Sequence, residues 1–438
     1  MPTDRGAIPG AEFLPLAEID RLQRRRWLRH AAYVASGSAF YRQHFAGIRL
    51  TGQIEEIADL PFTDKEMLRV DQRQHPPFGS YLTSRPDKIS RIHRTSGTTG
   101  NAMNIALSIT DAVMSAAVGA RAQSAAGLGS GHRVVHCLNY QLWMGGYTDH
   151  ASLEATGATV VPYGVGSTER LIRVIIELGI TAISCTPSYP AVLDAVIAKH
   201  HPELKPRDLG IKLALFGGEP GLDDPVFRRR LESVWGFTAR NANYGVSDVL
   251  CNFAGQTDQC NDLHLVALDL LYPELIDPDS AQRRPWKEGE SGELVLTHLE
   301  KECQPLVRFR TGDIVTLTGI VTGRCGRTAP RFRVIGRSDD MVVVRGLNLF
   351  PSMVAGVVNR FPELSGEYRI VLNGPPPYDL LPLDVELADP GAATEGLVQA
   401  LEATVKIDLG ATARVRLLPP HSLPRTEGKT RRVFRGEV

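Results

Sequence analysis

The segment RTSGTTGNA at residues 94–102 combines hydroxyl side chains and glycines at a density that can serve chemistry. Glycine lets the backbone approach a ligand closely, consecutive peptide N–H groups form a concave anion-binding surface, and Ser and Thr hydroxyls add donors toward phosphate oxygens. A flexible surface turn has the same composition. The segment alone therefore leaves two interpretations open, a surface turn and a phosphate-binding loop.

Two further polar segments follow predicted strands. IKLALFGGEP at 211–220 and TARNANYG at 238–245 each predict a buried strand that runs into a turn. From about residue 105 onward, predicted strands alternate with amphipathic helices, such as those over 170–178 and 191–200, which indicates a parallel sheet covered on both faces. Ligands of such sheets bind beyond the carboxyl ends of the strands, where these polar loops lie.

The pattern changes after about residue 262. HLVALDLLYPELI, GELVLTHL and VRFRTGDIVTLTG are β-rich with few helical intervals, and they predict a separate small sheet or barrel. After Gly336, a helix that opens at Phe350-Pro351 and several later strands predict a small α+β unit. The sequence thus predicts an α/β fold with two domains, residues 1–336 and residues 337–438.

Composition argues against several classes of function. Lys plus Arg and Asp plus Glu both total 49, so no global field favours nucleic acid or an acidic membrane surface. The segment MPTDRGAIPGAEF lacks the apolar core of a signal peptide, and no stretch is long and uncharged enough to span a bilayer, which predicts a cytoplasmic protein. The run Arg24-Arg25-Arg26 lies at helical spacing and predicts the solvated face of an amphipathic helix.

Taken together, these segments resemble the motifs of the acyl-adenylate-forming superfamily, and most closely its phenylacetate-CoA ligase branch. RIHRTSGTTG resembles the phosphate loop, FGGEP the adenine loop, NANYGVSDV the tyrosine-glycine-x-Ser/Thr-acid motif, VRFRTGD the ribose motif, VIGRSDDMVVVRGLNLFP the interdomain hinge and PRTEGKTRRV the C-terminal lysine motif. They occur in the family's order and spacing. The resemblance implies a large adenylate-forming domain with parallel sheets and a β-rich subdomain, followed by a small, mobile α+β C-terminal domain.

The resemblance also implies a reaction: ATP-dependent activation of a carboxylic acid to an acyl-adenylate, release of pyrophosphate, and transfer to the thiol of coenzyme A or another thiol acceptor. It assigns Mg²⁺ to Asp248, the ribose hydroxyls to Asp313, the α-phosphate to the catalytic Lys429 and the hinge to Asp339. The other implied nucleotide-binding residues are Thr95, Ser96, Gly97, Thr98, Thr99, Gly100, Gly218, Glu219, Pro220, Tyr244 and Arg337. The segment around Gly346 is implied to line the thiol tunnel.

Two positions depart from the family's pattern. Asn101 stands where the family usually has lysine, so the loop's hold on the triphosphate must rest on hydrogen bonds and Mg²⁺. Asp248 stands where the family usually has glutamate, and its shorter side chain implies a metal that is shifted or bound through water. These departures leave open the interpretation that the protein is a nucleotide-binding relic, a protein that binds the nucleotide but no longer catalyses the reaction.

The predicted acyl pocket is aromatic. By position in the family and by their ring character, its candidate residues are Tyr140, Trp143, His150 and Tyr189, and core packing is their alternative role. Aromatic walls fit a flat ring and leave little room for a long chain, so an aryl or small cyclic acid is the expected substrate. Carrier-protein loading, amide formation and nitrite-activating diazotisation of an aryl amine, reactions of secondary metabolism, remain alternatives. A carrier protein and a second copy of the chain are further candidate partners; nucleic acid and membrane are not.

Cysteine placement raises the question of a metal. Cys260, His264, Cys303 and Cys325 supply three thiolates and an imidazole, the ligand set of a structural zinc, and the resemblance extends to relatives with a zinc in this region. Cys251 could replace any one of the four. The spacings are long, so ordinary buried thiols are the alternative interpretation. Cys137 and Cys185 lie in predicted strands and are expected in the core. Six cysteines in a chain of 438 residues do not predict a disulfide framework.

Overall fold

The computed structural model describes residues 6–95, 102–219, 221–320, 322–345, 347–374, 378–392, 395–424 and 431–436. Within these ranges the α-helices are Leu16–Gly37 (α1), Ala39–His44 (α2), Lys65–Gln74 (α3), Ile109–Ala125 (α4), Met144–Glu154 (α5), Thr168–Glu177 (α6), Tyr189–His200 (α7), Pro225–Trp235 (α8), Pro351–Val358 (α9) and Glu395–Leu409 (α10). The first strands are Ile89–Arg94 (β1), Asn104–Ser108 (β2), Arg133–His136 (β3), Thr159–Pro162 (β4), Ala182–Cys185 (β5), Leu213–Gly217 (β6), Thr238–Val246 (β7), Leu250–Thr257 (β8) and Cys260–Leu265 (β9). The later strands are Leu271–Ile276 (β10), Ser291–His298 (β11), Phe309–Gly319 (β12), Arg331–Arg337 (β13), Val342–Val344 (β14), Leu347–Leu349 (β15), Leu364–Leu372 (β16), Leu381–Leu387 (β17), Ala413–Leu418 (β18) and Val433–Arg435 (β19).

An eleven-stranded mixed sheet forms the larger, N-terminal domain, in the order β10-β11-β12-β13-β9-β8-β7-β6-β5-β3-β4. Strands β3 to β7 pair in parallel, as the alternating strand and helix pattern predicts. The chain adds β4 on one side of β3 and β5 on the other, so the strand order reverses there. Loops after β3, β5 and β6 therefore converge at the carboxyl edge beside this reversal, which is where such sheets bind ligands.

The β-rich segment does not form a separate sheet, and that expectation is wrong. Strand β7 pairs in parallel with β6 on one side and antiparallel with β8 on the other, so the strands after residue 250 extend the same sheet. Because β7 is paired on both sides, it has no unpaired edge. Strand β12, which carries Asp313, therefore belongs to the same sheet as β6, which precedes Gly218.

The smaller C-terminal domain has its own four-stranded sheet, in the order β18-β17-β16-β19, covered by α9 and α10. Its core is apolar and distinct from those of the N-terminal domain, with Val354, Ile370 and Leu401 fully buried. A separate core is what allows a segment to behave as a domain. The predicted α/β fold class, with a small second α/β domain, is confirmed.

Helix α1 differs from its prediction. Arg24 is exposed, but Arg26 is fully buried, where it donates hydrogen bonds to the carbonyl oxygens of Asp269 and Gly6 and lies 3.5 Å from Glu300. A guanidinium can be buried when its N–H groups find such acceptors. The arginine run is therefore not wholly a solvated face. Among the described residues, no helix has the length and apolarity needed to cross a membrane.

Candidate active site

Tyr244, Asp313 and Arg337 form a hydrogen-bonded cluster where β7, β12 and β13 meet. The Tyr244 hydroxyl donates to Oδ2 of Asp313 at 2.7 Å, and Nη1 of Arg337 donates to Oδ1 at 2.9 Å. Asp313 is buried. The burial of Tyr244 and the negative charge of Asp313 raise the pKa of Tyr244 well above its ordinary value. The two hydrogen bonds orient the carboxyl group, and its remaining lone pairs are suited to two vicinal hydroxyls.

Two glycines make this cluster possible. A Cβ at Gly245 would lie 1.8 Å from the carbonyl oxygen of Cys251, so only glycine allows β7 and β8 to approach here. Gly312 has φ of +76°, and the bend it permits precedes Asp313 in β12. The register of β12 against β13 places Asp313 directly opposite Arg337. Local backbone geometry thus sets the position of the carboxylate.

The adenine-loop residues Gly218 and Glu219 follow β6 at the carboxyl edge of the sheet. Oε2 of Glu219 accepts a hydrogen bond from Ser188 at 2.7 Å, while Oε1 is buried without a partner among the described residues. Burial raises the pKa of Glu219, although the Ser188 hydrogen bond and the positive charge of Arg432 oppose the shift. Arg432 of the C-terminal domain therefore lies near this loop.

The predicted magnesium residue Asp248 is buried and forms an ion pair with Lys65, whose Nζ lies 2.8 Å from Oδ2. Lys65 is the first residue of α3, which Asp64 caps by accepting from the amide of Met67. The buried Lys301 fixes the backbone here, because its Nζ donates to the carbonyl oxygens of Asp248 and Val249. A carboxylate is suitable chemistry for Mg²⁺, but the described residues contain no cluster of three metal-binding side chains. Phosphate and water oxygens would have to complete the coordination.

Two hydrogen bonds between Thr95 and Met103 close the base of the predicted phosphate loop. Thr95 is buried; its amide donates to the carbonyl oxygen of Met103, and its hydroxyl accepts from the amide of Met103, both at 3.0 Å. These bonds hold together the two ends of the loop that β1 and β2 flank. Several predicted site residues lie outside the described residues: Ser96, Gly97, Thr98, Thr99, Gly100, Asn101, Pro220, Gly346 and Lys429.

Asp339, the predicted hinge residue, lies two residues after the end of β13. Its two carboxylate oxygens accept from Nε and Nη2 of Arg337, at 2.9 and 3.1 Å, in a bidentate pair. Arg337 thus bonds Asp313 and Asp339 at once and connects the ribose motif to the hinge. The carbonyl oxygen of Asp339 also lies 3.5 Å from Nη1 of Arg435 in β19. Asp339 therefore contacts one residue of β13 in the eleven-stranded sheet and one residue of β19 in the four-stranded sheet.

Of the predicted acyl-pocket residues, Tyr140 and His150 lie together. The Tyr140 hydroxyl and Nδ1 of His150 are 2.9 Å apart, and Nε2 of His150 lies 3.2 Å from Glu154. Trp143 is half-buried at the start of α5, the helix that carries His150. Tyr189 starts α7 and hydrogen-bonds to Thr168. These aromatic side chains follow β3 and β5, on the two sides of the strand-order reversal.

A buried carboxyl group that the sequence did not single out lies beside His150. Asp149 is fully buried, accepts a hydrogen bond from the Cys251 thiol at 3.1 Å, and is hydrogen-bonded by the amide of Asn243. Burial raises the pKa of Asp149 to about 7, although both hydrogen bonds act against the shift. Asn243 immediately precedes Tyr244 in β7, so Asp149 bonds the residue next to the Tyr244, Asp313 and Arg337 cluster.

The predicted zinc site is not assembled. Sγ of Cys325 lies 3.6 Å from Nε2 of His264, and Cys260 lines the same cavity. Cys303 lies elsewhere: its thiol hydrogen-bonds to Ser84 and its amide donates to Asp111. The described residues contain no group of three or more side chains placed to bind a metal. Cys303 is therefore not grouped with the other three predicted ligands in this structure. Cys137 and Cys185 are buried in the core, as expected.

Comparison with known proteins gives matches over nearly the whole chain. Residues 48–298 match the family described as AMP-binding enzyme, and residues 346–435 match the AMP-binding enzyme C-terminal domain. The phenylacetate-coenzyme A ligase of Thermus thermophilus is 34% identical over 452 residues, covering 97% of this chain and 98% of the relative. That of Escherichia coli is 31% identical over 441 residues, covering 95% of each.

This chain is also similar to one solved enzyme in two of its states. A structure of 2-hydroxyisobutyryl-CoA ligase in the postadenylation state, in complex with 2-HIB-AMP, superposes with a TM-score of 0.89 at 31% identity, covering 98% of this chain and 91% of that one. The same enzyme with 2-HIB-AMP and CoA in the thioesterification state gives 0.71 at 31% identity, covering 100% and 94%. The present arrangement is thus more similar to the first state than to the second.

Proposed function

Because the chain belongs to the AMP-binding enzyme family and is an AMP-forming acid-CoA ligase, we propose that it activates an aryl or small cyclic carboxylic acid and transfers the acyl group to coenzyme A. The observation that carries this proposal is the carboxylate of Asp313. It is buried, oriented by Tyr244 and Arg337, and suited to accept both ribose hydroxyls of ATP.

In the first half-reaction, a carboxylate oxygen of the acid attacks the α-phosphorus of ATP, the bond from that phosphorus to the bridging oxygen breaks, and pyrophosphate leaves. The negative charge that spreads over the transferring group must be neutralised while attacking and leaving groups stay in line. We assign the neutralising cation to Lys429 and the orientation of the nucleotide to Asp313. The positive charge of Arg432 acts on the pKa of Glu219 in the predicted adenine loop. Because Lys429 is three residues before Arg432 in the sequence, this supports the assignment.

Asp248 is the proposed magnesium residue. Asp248 would hold the metal, whose charge would help neutralise the leaving pyrophosphate. Lys301 would keep the backbone of Asp248 in place, because its ammonium donates to the carbonyl oxygens of Asp248 and Val249. Lys65 is the present counter-ion of Asp248, and a metal bound to the carboxylate would displace it.

In the second half-reaction, the thiol sulfur attacks the acyl carbonyl carbon, the bond to the AMP oxygen breaks, and the thiol proton passes to solvent. We propose that the C-terminal domain rotates about Asp339 between the two steps, and that the domain boundary lies between residues 336 and 337. The two TM-scores support this, since one relative superposes differently in its two states. The present arrangement is the one proposed for adenylate formation.

The acyl pocket supports a compact aromatic or cyclic substrate. Tyr140 and Trp143 follow β3, Tyr189 follows β5, and His150 hydrogen-bonds to Tyr140; these side chains would form the walls of the pocket. A flat ring can pack against such walls, whereas a long acyl chain would need an apolar tunnel. Phenylacetate is the substrate named for two similar ligases, which supports an acid of the same size range.

A pyrophosphate-release screen tests this proposal. Purified protein with ATP and Mg²⁺ is offered aromatic acids, small cyclic acids and fatty acids, each with and without coenzyme A, and products are identified by mass. We expect release that depends on an aryl or cyclic acid and an acyl-CoA product, both lost in Asp313→Asn. Release with aryl amine and nitrite, or acyl transfer only to a carrier protein or an amine, would replace the proposal by the corresponding alternative.

A further inference from the structure

A cavity of about 400 Å³ opens beside the base of the phosphate loop and is lined by three arginines. Arg69 and Arg73 project from α3, and Arg94 ends β1, directly before the loop. Met103, which returns from the loop, and Asn104, which starts β2, line the same cavity. The cavity therefore adjoins the segment that is proposed to hold the β- and γ-phosphates of ATP.

Hydrogen bonds between side chain and backbone fix the walls of this cavity. Gln72 accepts from the amide of Asn104 at 2.7 Å and donates to its carbonyl oxygen at 2.9 Å. Nε of Arg94 donates to the Asn104 side chain at 2.8 Å, and that side chain donates to the carbonyl oxygen of Pro77 at 2.9 Å. Helix α3 is thus attached to the β1 and β2 hairpin, and the arginines are held near one another before any ligand binds.

The charges around the cavity are unbalanced. Glu66 is shared by two of the arginines, since it forms a hydrogen-bonded ion pair with Arg69 and lies 3.5 Å from Nη2 of Arg73. Arg94 bonds a neutral amide rather than a carboxylate. Nε of Arg69 is buried and has no acceptor among the described residues. Three guanidinium groups and one carboxylate leave an excess of positive charge and an unused donor, a combination that favours a bound anion.

We propose that this cavity is a binding site for pyrophosphate, which occupies it as it leaves the phosphate loop. The inference rests on the proposed function, because the adenylation half-reaction is what produces pyrophosphate. Arginine binds phosphate oxygens through paired N–H donors, and the cavity adjoins the loop from which this product departs. The arginines supply the cation that the loop lacks, since Asn101 stands where the family usually has lysine. A phosphate group of coenzyme A has the same chemistry and is the alternative source of the anion.

Binding of inorganic pyrophosphate to the full-length protein tests the inference directly. Isothermal titration, with and without Mg²⁺, is performed on the wild type, on Arg73→Gln, on Arg94→Gln and on the double variant. The control is Arg85→Gln, since Arg85 is exposed, pairs with Asp87 and lies outside the cavity. Each cavity variant should weaken binding about three- to tenfold, and the double variant more than either, because each removes charge-assisted bonds to phosphate. The control should bind as the wild type does.

Steady-state measurements separate the two sources of the anion. The KM for coenzyme A is compared with that for dephospho-coenzyme A in the wild type and the double variant. The proposal is supported if the double variant binds pyrophosphate more weakly but keeps the wild-type ratio of the KM for dephospho-coenzyme A to that for coenzyme A. Loss of discrimination with unchanged pyrophosphate binding would assign the cavity to coenzyme A and overturn it, as would wild-type affinity for pyrophosphate in every variant. Titration requires no acid substrate, so a failed acid screen would affect the proposed function alone.

Discussion

The ammonium nitrogen of Lys65 lies 2.8 Å from the carboxylate of Asp248, although the two residues are 183 positions apart in the chain. The carboxylate is the predicted magnesium residue, so the lysine and the metal compete for it. We expect Lys65→Met to lower the Mg²⁺ concentration for half-maximal pyrophosphate release about fivefold, the effect of a partly exposed ion pair of about 1 kcal/mol. Asp248→Asn should raise that concentration by about tenfold or more, since it removes the anionic ligand.

The control for this pair is Lys88→Met, because Lys88 is exposed and belongs to a short turn away from Asp248. Its magnesium dependence should equal that of the wild type. A higher magnesium requirement in Lys65→Met would contradict the competition and indicate that Lys65 acts directly on the phosphates.

The ribose cluster predicts a graded response. Asp313→Asn removes the charge that Tyr244 and Arg337 orient, and we expect kcat/KM for ATP to fall about a hundredfold, as for the loss of two charge-assisted hydrogen bonds. Tyr244→Phe leaves the Arg337 bond in place and should cost about tenfold or less. The KM for the acid should change little in both variants. An equal effect on acid and ATP would instead indicate a general disturbance of the sheet.

The hinge predicts a separation of the half-reactions. Proline fixes φ, so Asp339→Pro should restrict rotation and slow thioester formation, while adenylate formation continues. Asp339→Ala is the matched control, since it also breaks the bidentate pair with Arg337 but leaves the backbone free. Single-turnover measurements of pyrophosphate release and acyl transfer report the two steps. Equal acyl-transfer rates in the two variants would contradict a hinge at this position.

Asp149 predicts a pH dependence of stability. Burial raises the pKa of this carboxyl to about 7 from an ordinary value of 3.8. A raised pKa means that the contribution to stability is fully present below the unfolded-state pKa and is lost as the pH rises through about 7. Each pKa unit corresponds to about 1.4 kcal/mol, so the unfolding free energy of the wild type should fall by about 2 to 4 kcal/mol relative to Asp149→Asn between pH 4 and pH 8.

Denaturant unfolding at several pH values measures this difference. Asp194→Asn serves as the control, because Asp194 is exposed on α7 and should show no such trend relative to the wild type. A parallel pH profile for the wild type and Asp149→Asn would show that the carboxyl is ionised in the folded protein throughout this range.

The sequence predicted the features that depend on local pattern and missed those that depend on distant partners. The strands and helices from β3 to β7 were predicted because each carries its own periodicity and ends in a turn signal. The continuation of the sheet through β8 was not, since strand pairing is a long-range property. Arg26 shows the same limit: its spacing indicates an exposed face, but its acceptor at Asp269 lies 243 positions away.

The candidate site divides in the same way. Asp313, Tyr244 and Asp248 were predicted from short motifs, and the fold brings the first two into contact. Lys65 and Lys301 carry no motif-level signal for a role at Asp248, because what matters is the neighbour each meets after folding. Cys303 illustrates the opposite case, in which a residue type suited to a metal was grouped with cysteines that the fold places elsewhere.

Lys429 remains the proposed cation of adenylate formation, and its removal gives the most selective prediction. Loss of an oriented cation from a phosphoryl-transfer transition state should lower the adenylation rate about a hundred- to ten-thousandfold in Lys429→Ala. Thioester formation from a presynthesised acyl-adenylate should proceed at the wild-type rate, since the proposed rotation removes this lysine from the site before the thiol attacks. Lys406→Ala, at an exposed position of α10, is the control and should affect neither step. Equal losses in both half-reactions of Lys429→Ala would mark a folding defect, and unimpaired adenylation would return the lysine to the solvated tail.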